Sequence, residues 1–273
     1  MERPVISFGC GRERLPELTA LYNDCFDDGA AYADLLFSRR IDLSLAAVAE
    51  VGGAIAGAFY FIPLTVCGKK GVMLYALGVT PAQRGRGIAS QLLDFAGSYC
   101  EKNGLACLIR PADNGLFALY ERHGFTRRIR SKLSVYHGSE FGLPVRTITA
   151  DEYHRRREEY LSGLPAVCWN ADDVGYAVLE NAFCGGLCIG GDRFVALLRR
   201  ERGKAVICEL LTDRYDSPAY LKRCALAAGS MCGFSDVSAV FPAWFGDGVP
   251  FSSSLAFNLP TRSKDLYFGL MLD

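Results

Sequence analysis

One stretch of the chain concentrates residues able to hold an anion. It reads Leu77-Gly78-Val79-Thr80-Pro81-Ala82-Gln83-Arg84-Gly85-Arg86-Gly87-Ile88-Ala89-Ser90. An apolar strand ends, a loop with two glycines follows, and a helical pattern starts at once. The first turn of a helix leaves its N–H groups without internal partners, and the helix dipole makes that end positive. A phosphate oxygen is the natural complement. Gly85 and Gly87 permit backbone angles and close approaches that a side chain forbids. Ala89 keeps the helix start small, and Arg84 and Arg86 add charge. The loop is not a Walker A, because no Gly-Lys-Ser/Thr follows, and Ser90 stands where a dinucleotide fingerprint needs its third glycine.

Further candidates lie in Leu119-Tyr120-Glu121-Arg122-His123-Gly124-Phe125. Tyr120, taken alone, is an amphipathic aromatic suited to a core. His123 adjoins a helix stop and is read as a partner for the last helical carbonyls rather than as a base. Cys100 and Cys107 have no His or Asp nearby in sequence to activate them.

The elements that must position these groups follow from periodicity. Leu15 to Phe26 puts Leu18, Leu21, Tyr22, Cys25 and Phe26 on one helical face, and Ala31 to Arg39 reads as a second helix. Strands are expected at Leu43–Val51, Ala54–Leu64 and Val72–Val79, joined by Gly52-Gly53 and Gly68-Lys69-Lys70-Gly71. Ile88 to Cys100 is the strongest helix, stopped at Asn103-Gly104. A strand at Ala106–Arg110 follows, then a short helix capped by Asp113. Phe125 opens another strand, and Leu133–Tyr136 belongs to one more.

The second half repeats this order. A strand signal at Thr147 leads into a charged helix ending at Leu161. Strands are expected at Leu187–Ile189, Phe194–Arg199 and Ala205–Leu211. Ser217 and Pro218 then open a helix to about Gly229, and Val237–Phe241, Ser253–Asn258 and Leu266–Leu272 read as strands. The pattern is that of a tandem duplication whose second copy lacks the glycine loop. It divides the chain into domains at 1–139 and 146–273, with Glu140–Val145 as linker. The run Arg155-Arg156-Arg157-Glu158-Glu159 is read as a solvated face. Trp169, Tyr176, Trp244 and Phe245 are read as packing between the halves or as an acceptor pocket, with Asp172 and Asp173 near enough in sequence to draw a cation.

Composition narrows the classes. The 273 residues carry 30 Lys and Arg against 30 Asp and Glu. No global field exists to hold a polyanion, so a nucleic-acid partner is not expected. No apolar run approaches the roughly 18 residues of a membrane span, and no secretory layout opens the chain. Eleven scattered cysteines and three histidines make no zinc pattern, so no metal is expected, and the thiols are read as reduced, buried hydrophobes in a cytoplasmic protein.

Arg84-Gly85-Arg86-Gly87-Ile88-Ala89 resembles the Arg/Gln-x-x-Gly-x-Gly/Ala signature of the GNAT (Gcn5-related N-acetyltransferase) superfamily. A strand ending in Val-Thr-Pro precedes it, and about thirty residues on, Leu119 to Phe125 resembles that superfamily's second motif. The resemblance covers about residues 15 to 135. It implies an α/β (α+β) fold with a mixed, mostly antiparallel sheet flanked by helices, followed here by a second GNAT-like α/β domain. It implies acetyl-CoA as co-substrate, its pyrophosphate on the N–H groups of Arg84, Gly85, Arg86, Gly87, Ile88 and Ala89, and its pantetheine arm beside Leu77, Gly78 and Val79. Many relatives have a coenzyme-contacting Asn seven residues before the tyrosine. Asp113 stands there in this chain, and Asn114 one position later.

The reaction so implied is direct acyl transfer to an amine of a small molecule or peptide. The N–H near Val79 polarises the thioester carbonyl, and Tyr120 acts as general acid. Tyr75, on the strand beside the coenzyme, is a candidate to face the substrate. Glu209 sits on the comparable strand of the second copy, where a paired or solvated carboxylate is the plainer reading. Asp273 enters through a looser likeness to the enhanced-intracellular-survival branch, in which a C-terminal carboxylate reaches the active site. The alternative is a non-catalytic acyl-CoA-binding regulatory module. A monomer or a homodimer fits either.

Overall fold

The computed structural model describes residues 3–138, 143–201, 203–245, 248–259 and 265–270. The elements run β1 (Val5–Phe8), α1 (Leu15–Cys25), α2 (Ala30–Arg39), β2 (Ala46–Val51), β3 (Ala54–Val66), β4 (Lys69–Val79), α3 (Ile88–Lys102), β5 (Ala106–Ile109), α4 (Phe117–Arg122) and β6 (Arg127–His137). They continue with β7 (Val145–Thr147), α5 (Ala150–Leu161), the short β8 (Val167–Cys168), α6 (Ala171–Phe183), β9 (Leu187–Gly191), β10 (Phe194–Glu201), β11 (Lys204–Thr212), α7 (Pro218–Met231), β12 (Asp236–Pro242) and β13 (Val249–Phe257). The chain forms two compact units, residues 1–127 with 254–261, and 128–253 with 262–273.

In the first unit β1 to β4 pair in sequence order, all antiparallel, and β4 pairs parallel with β5 across the α3 crossover. Leu255–Phe257 closes the far side of β5, antiparallel. Side chains alternate across a strand, so β3 serves two cores. Phe59 and Phe61 join Leu74, Leu92, Leu93, Ala96 and Phe125 under α3 and α4. Ala58 and Tyr60 join Leu18, Leu21, Val48 and Ile55 beneath α1. Burial on both faces is why β3 is apolar nearly throughout rather than alternating.

The second unit has the same grammar. β7 pairs with β9, β9 with β10 and β10 with β11, all antiparallel, while β11 pairs parallel with β12 across α7. β6 lies antiparallel on β12. Phe194, Ala196, Leu198, Ile207, Leu221, Ala225, Val237 and Phe241 form the core under α7. Leu197 faces Glu209 but Leu198 faces Ile207, so Cys208 is bulged out of the ladder.

Several expectations are corrected here. A single cut between 139 and 146 does not separate the units, because β6 belongs with the second and residues 254–261 with the first. β6 is one strand rather than two, since its buried positions 131 and 134 are serines and leave no apolar rhythm. Helix α6 forms where periodicity gives no helix signal, because its buried face carries Glu180 and Asn181. Leu266 to Leu270 is not a strand. It forms only an isolated bridge at Tyr267 and turns through left-handed angles at Gly269 (φ 55°) and Leu270 (φ 41°).

Of the charged run in α5, Arg156 and Arg157 are buried, Arg157 completely. All eleven cysteines are free thiols, but only Cys100, Cys107, Cys188 and Cys224 are buried. Among the described residues no helix is long and apolar enough to cross a membrane.

Candidate functional site

The site grows from a defect in β4. Tyr75 faces Tyr60 and Gly78 faces Ala58, so Ala76 and Leu77 together oppose Phe59. Ala76 takes φ 51°, a conformation that costs a non-glycine residue of order 1–3 kcal/mol and that clusters at functional sites. A bulge re-aims the backbone, and one N–H of the bulged pair leaves the ladder. The parallel pairing with β5 stops at Leu74–Ile109. From Tyr75 to Val79, β4 therefore has a strand partner on one side only among the described residues, which leaves main-chain groups able to pair with an extended ligand.

Beyond Val79 the chain turns through Pro81–Gln83, runs extended at Arg84, and enters α3 through two left-handed glycines, Gly85 (φ 75°) and Gly87 (φ 76°). Gly87 is the N-cap and offers no side-chain acceptor. Gln91 N is the first to bond back, to the Gly87 carbonyl at 3.1 Å. The N–H groups of Ile88, Ala89 and Ser90 lie in the first turn, where an α-helix has no internal partner to offer. A Cβ built on Gly85 or Gly87 meets nothing within 4 Å, so the corner is open space. Arg3, Gln83, Arg86, Ile88 and Gln91 line a cleft of about 170 Å³ beside it. Gln83 Oε1 is buried without a hydrogen-bond partner among the described residues. An open cradle of amides, two arginines and an orphaned side-chain amide fit a diphosphate with a polar attachment.

Arg84 points back from the loop. Its Nε donates to the Val79 carbonyl at 3.1 Å, and Cys25 Sγ donates to the same oxygen at 3.4 Å. Gly78 has a local reason: a Cβ there would stand 3.0 Å from Cys25 Sγ, so glycine lets the end of α1 press on β4.

Tyr120 lies on α4 with 6% of its surface exposed, its ring edge-on to Phe125 at 6.3 Å. Burial, and then the Asp113 carboxylate, push its hydroxyl up to about 12. Asp113 caps the turn before α4 by accepting from Gly115 N at 2.6 Å, and Asn114 is exposed on that turn. His123 is not on the helix carbonyls, because its Nδ1 lies 2.7 Å from Asp94 Oδ1 on α3. Cys107 is wholly buried, and burial with the neighbouring Cys100 drives its thiol well above the ordinary range, which makes it inert.

Tyr75 is buried next to the bulge, its hydroxyl 3.4 Å from that of Tyr32. Tyr22 donates to Asp28 Oδ2 at 2.6 Å. Burial, then Tyr75, then Asp28 raise the Tyr22 hydroxyl far above a free phenol. Tyr75, Tyr32, Tyr22 and Asp28 thus form a phenol cluster ending at an exposed carboxylate. Periodicity marked Tyr22 and Cys25 as one face of α1 but gave no sign that they meet β4. The convergence of α1, α2 and β4 is tertiary.

The other candidates do not join this group. Glu209 belongs to the second unit and is completely buried. It accepts from Tyr153 Oη (2.5 Å), Arg157 Nε (3.0 Å), Tyr267 Oη (2.7 Å) and Leu270 N (3.3 Å). With its acceptor capacity so used it is a structural ion, not a residue open to a substrate. Asp273 lies outside the described residues. Trp169 donates to the Phe268 carbonyl at 3.4 Å, Trp244 to the Asp265 carbonyl at 2.9 Å, and Phe245 sits in the second core. Tyr176 is buried on α6. Asp172 and Asp173 lie in the first turn of that helix, where negative charge stabilises it.

Residues 42–127 match the family model described as the acetyltransferase (GNAT) domain. No curated protein matches the chain. Among solved structures, it is similar to a conserved protein of unknown function from Enterococcus faecalis V583 (12% identity, 93% of this chain and 72% of that one, TM-score 0.71). A GCN5-related N-acetyltransferase from Anabaena variabilis is alike at 14% identity over 93% and 72% of the two chains, TM-score 0.69. Eis1 from Mycobacterium abscessus follows at 13% identity over 93% and 73%, TM-score 0.63. At these identities the likeness is one of fold. The mixed, mostly antiparallel sheet flanked by helices is the GNAT fold, and residues 42–127 are the part of it that matches the acetyltransferase (GNAT) domain model.

Proposed function

We propose that the protein is an N-acyltransferase that moves an acetyl or other acyl group from a coenzyme A thioester directly to a primary amine of a small molecule or peptide. The observation that carries this reading is the open, uncapped corner at Gly85–Ala89, fed by a bulged strand that has no second strand partner beyond Leu74 among the described residues. The N–H groups of that corner hold the diphosphate, with Arg86 and Arg3 adding charge. The free edge of β4 pairs with the pantetheine amides, and for this Arg84 must release the Val79 carbonyl. The N–H freed by the bulge at Ala76–Leu77 polarises the thioester carbonyl and stabilises the oxyanion.

Tyr120 stays protonated at neutral pH and offers its hydroxyl to the departing thiolate. Complete transfer from a phenol at about 12 to a thiolate whose acid is near 8.5 runs uphill by roughly 5 kcal/mol. Its contribution is therefore a hydrogen bond to developing negative charge, with protonation from water later. A lysine-like amine, with a pKa of about 10 in water, must lose a proton before attack. The cluster from Tyr75 through Tyr22 to Asp28 supplies a path for it toward the surface, where the proton passes to water.

Calorimetry of the full chain with coenzyme A tests the cofactor, and turnover of acetyl-CoA with a panel of amines tests the reaction. Binding abolished by Arg84→Glu with Gly87→Asp, together with turnover in the unaltered protein, supports the transferase. Binding without turnover on any amine, unchanged by Tyr120→Phe, supports instead a regulatory acyl-CoA-binding module.

A further inference from the structure

Another cavity lies in the second unit. A groove of about 720 Å³ opens at the corner where β11 turns into α7. In strand order this corner matches the one where β4 turns into α3. That volume is within the roughly 300–1,000 Å³ of small-molecule sites. Four arginines from four separate segments line it: Arg146 on β7, Arg156 on α5, Arg193 between β9 and β10, and Arg214 after β11.

These arginines are held in place. Arg156, 8% exposed, donates from one nitrogen to the Gly191 carbonyl (2.7 Å), the Asp192 carbonyl (3.1 Å) and Tyr160 Oη (2.9 Å). Thr212, fully buried, ties two arms together: its hydroxyl donates to the Arg193 carbonyl at 2.6 Å and accepts from Arg214 N at 3.2 Å. Arg214 stacks on Tyr220, its guanidinium carbon 5.2 Å from the ring centre, and makes no ion pair among the described residues.

Three of the four have carboxylate partners: Arg156 Nη1 lies 3.5 Å from Glu152, and the other two pairs are ones a ligand can displace. Arg193 grips Asp213 with both arms, Nε to Oδ2 at 2.9 Å, and Arg146 grips Glu152 at 2.7 and 2.9 Å. In both pairs the arginine is exposed, and ion pairs open to solvent are weak enough to exchange for another anion. Four guanidinium groups face the carboxylates of Glu152, Asp192 and Asp213, so positive charge is in excess. One arginine satisfies a planar carboxylate. Guanidinium groups converging from four segments suit a tetrahedral anion with three terminal oxygens and more than one charge.

We propose that this groove is a second ligand site, taking the phosphate group of a small phosphorylated molecule, independent of the corner at Gly85–Ala89. The assignment stands whether or not the first unit binds coenzyme A. The test is calorimetry with inorganic pyrophosphate on the full chain carrying Arg84→Glu and Arg86→Glu, which reverses the charge these two side chains bring to the first corner. One-site binding is expected to persist there, and to weaken at least tenfold when Arg193→Ala and Arg214→Ala are added. Circular dichroism checks the fold. Should that combination unfold, Arg214→Ala alone gives the same reading, since its guanidinium stacks on Tyr220 and holds no ion pair among the described residues. Loss of all pyrophosphate binding in the Arg84/Arg86 variant, or binding indifferent to Arg193 and Arg214, overturns the site. Malonate binding more tightly than pyrophosphate overturns the phosphate assignment.

Discussion

The two units bend the same strand and then diverge. In the first, β4 bulges at Ala76–Leu77 and runs into Gly85 and Gly87, with Tyr75 beside the bulge. In the second, β11 bulges at Cys208 and runs into Asp213, Arg214 and Ser217, with Glu209 beside the bulge. The first corner leaves its helix uncapped and offers main-chain amides. In the second, Ser217 accepts from Tyr220 N, satisfying a helix amide internally, and the positive charge outside comes from side chains. The residue next to the bulge follows suit. Tyr75 joins a cluster that ends at an exposed carboxylate, whereas Glu209 is locked against a fully buried Arg157. One framework thus makes an open site from glycine and a sealed ion pair from charge. What fills the bulge, rather than the bulge itself, decides which.

Breaking the sealed half has the largest expected effect. Arg157→Met leaves a buried carboxylate without its counter-ion and is expected to cost about 3–5 kcal/mol in chemical denaturation. Adding Glu209→Leu should recover part of that. A double variant no more stable than the single one means the pair is not acting as an ion pair. On the open half, Arg84→Glu with Gly87→Asp is expected to weaken coenzyme A binding more than 100-fold in calorimetry while circular dichroism shows the fold kept; a modest drop in melting temperature is expected, because nothing packs on Gly87 but an Asp at φ 76° is strained. An equal loss in Arg214→Ala would erase the distinction between the corners.

Tyr120→Phe should lower kcat about 10- to 100-fold with little change in KM for the thioester. The pH profile sharpens this point. A hydroxyl raised to about 12 keeps its proton as pH rises past a free phenol's value near 10, so no alkaline fall due to Tyr120 is expected below about pH 11. A limb near pH 10 that vanishes in Tyr120→Phe counts against the assignment. Smallest of all, Arg155→Ala removes an exposed pair with Glu159 and should shift stability by at most about 0.5 kcal/mol. A larger shift would mean that this face of α5 is covered.

Division of the chain is open to the same treatment. A chain ended after Val145 keeps every residue that carries the resemblance. It loses Leu255–Phe257, the antiparallel partner of β5, and with it Leu255 from the first core. It is expected to melt well below the full chain. Equal stability would show that residues 254–261 are dispensable to the first unit.

Much of this was legible in residue order. The glycine corner, the strands β2 to β5, the strong helix α3 and the cap at Asp113 are local features, set by periodicity and by backbone freedom at Gly85 and Gly87. Where a buried face carries polar residues the signal fails, as with Glu180 and Asn181 on α6. Glu180 finds Arg199 at 3.4 Å, and Asn181 donates to the Leu187 and Leu198 carbonyls. Those partners lie on other elements, and no local pattern announces them.

The sequence by itself determined the open glycine corner and the order of strands around it, because both depend on neighbours a few residues apart. Only the tertiary structure decided that Glu209 and Arg157 vanish into a core, and that Tyr75 meets Tyr22 and Tyr32. It alone decided that β6 and the end of β13 change units, and that four scattered arginines share a groove. Each of these joins residues far apart along the chain. Burial and hydrogen bonding select such pairings by what the folded surfaces bring together, and linear order does not record them.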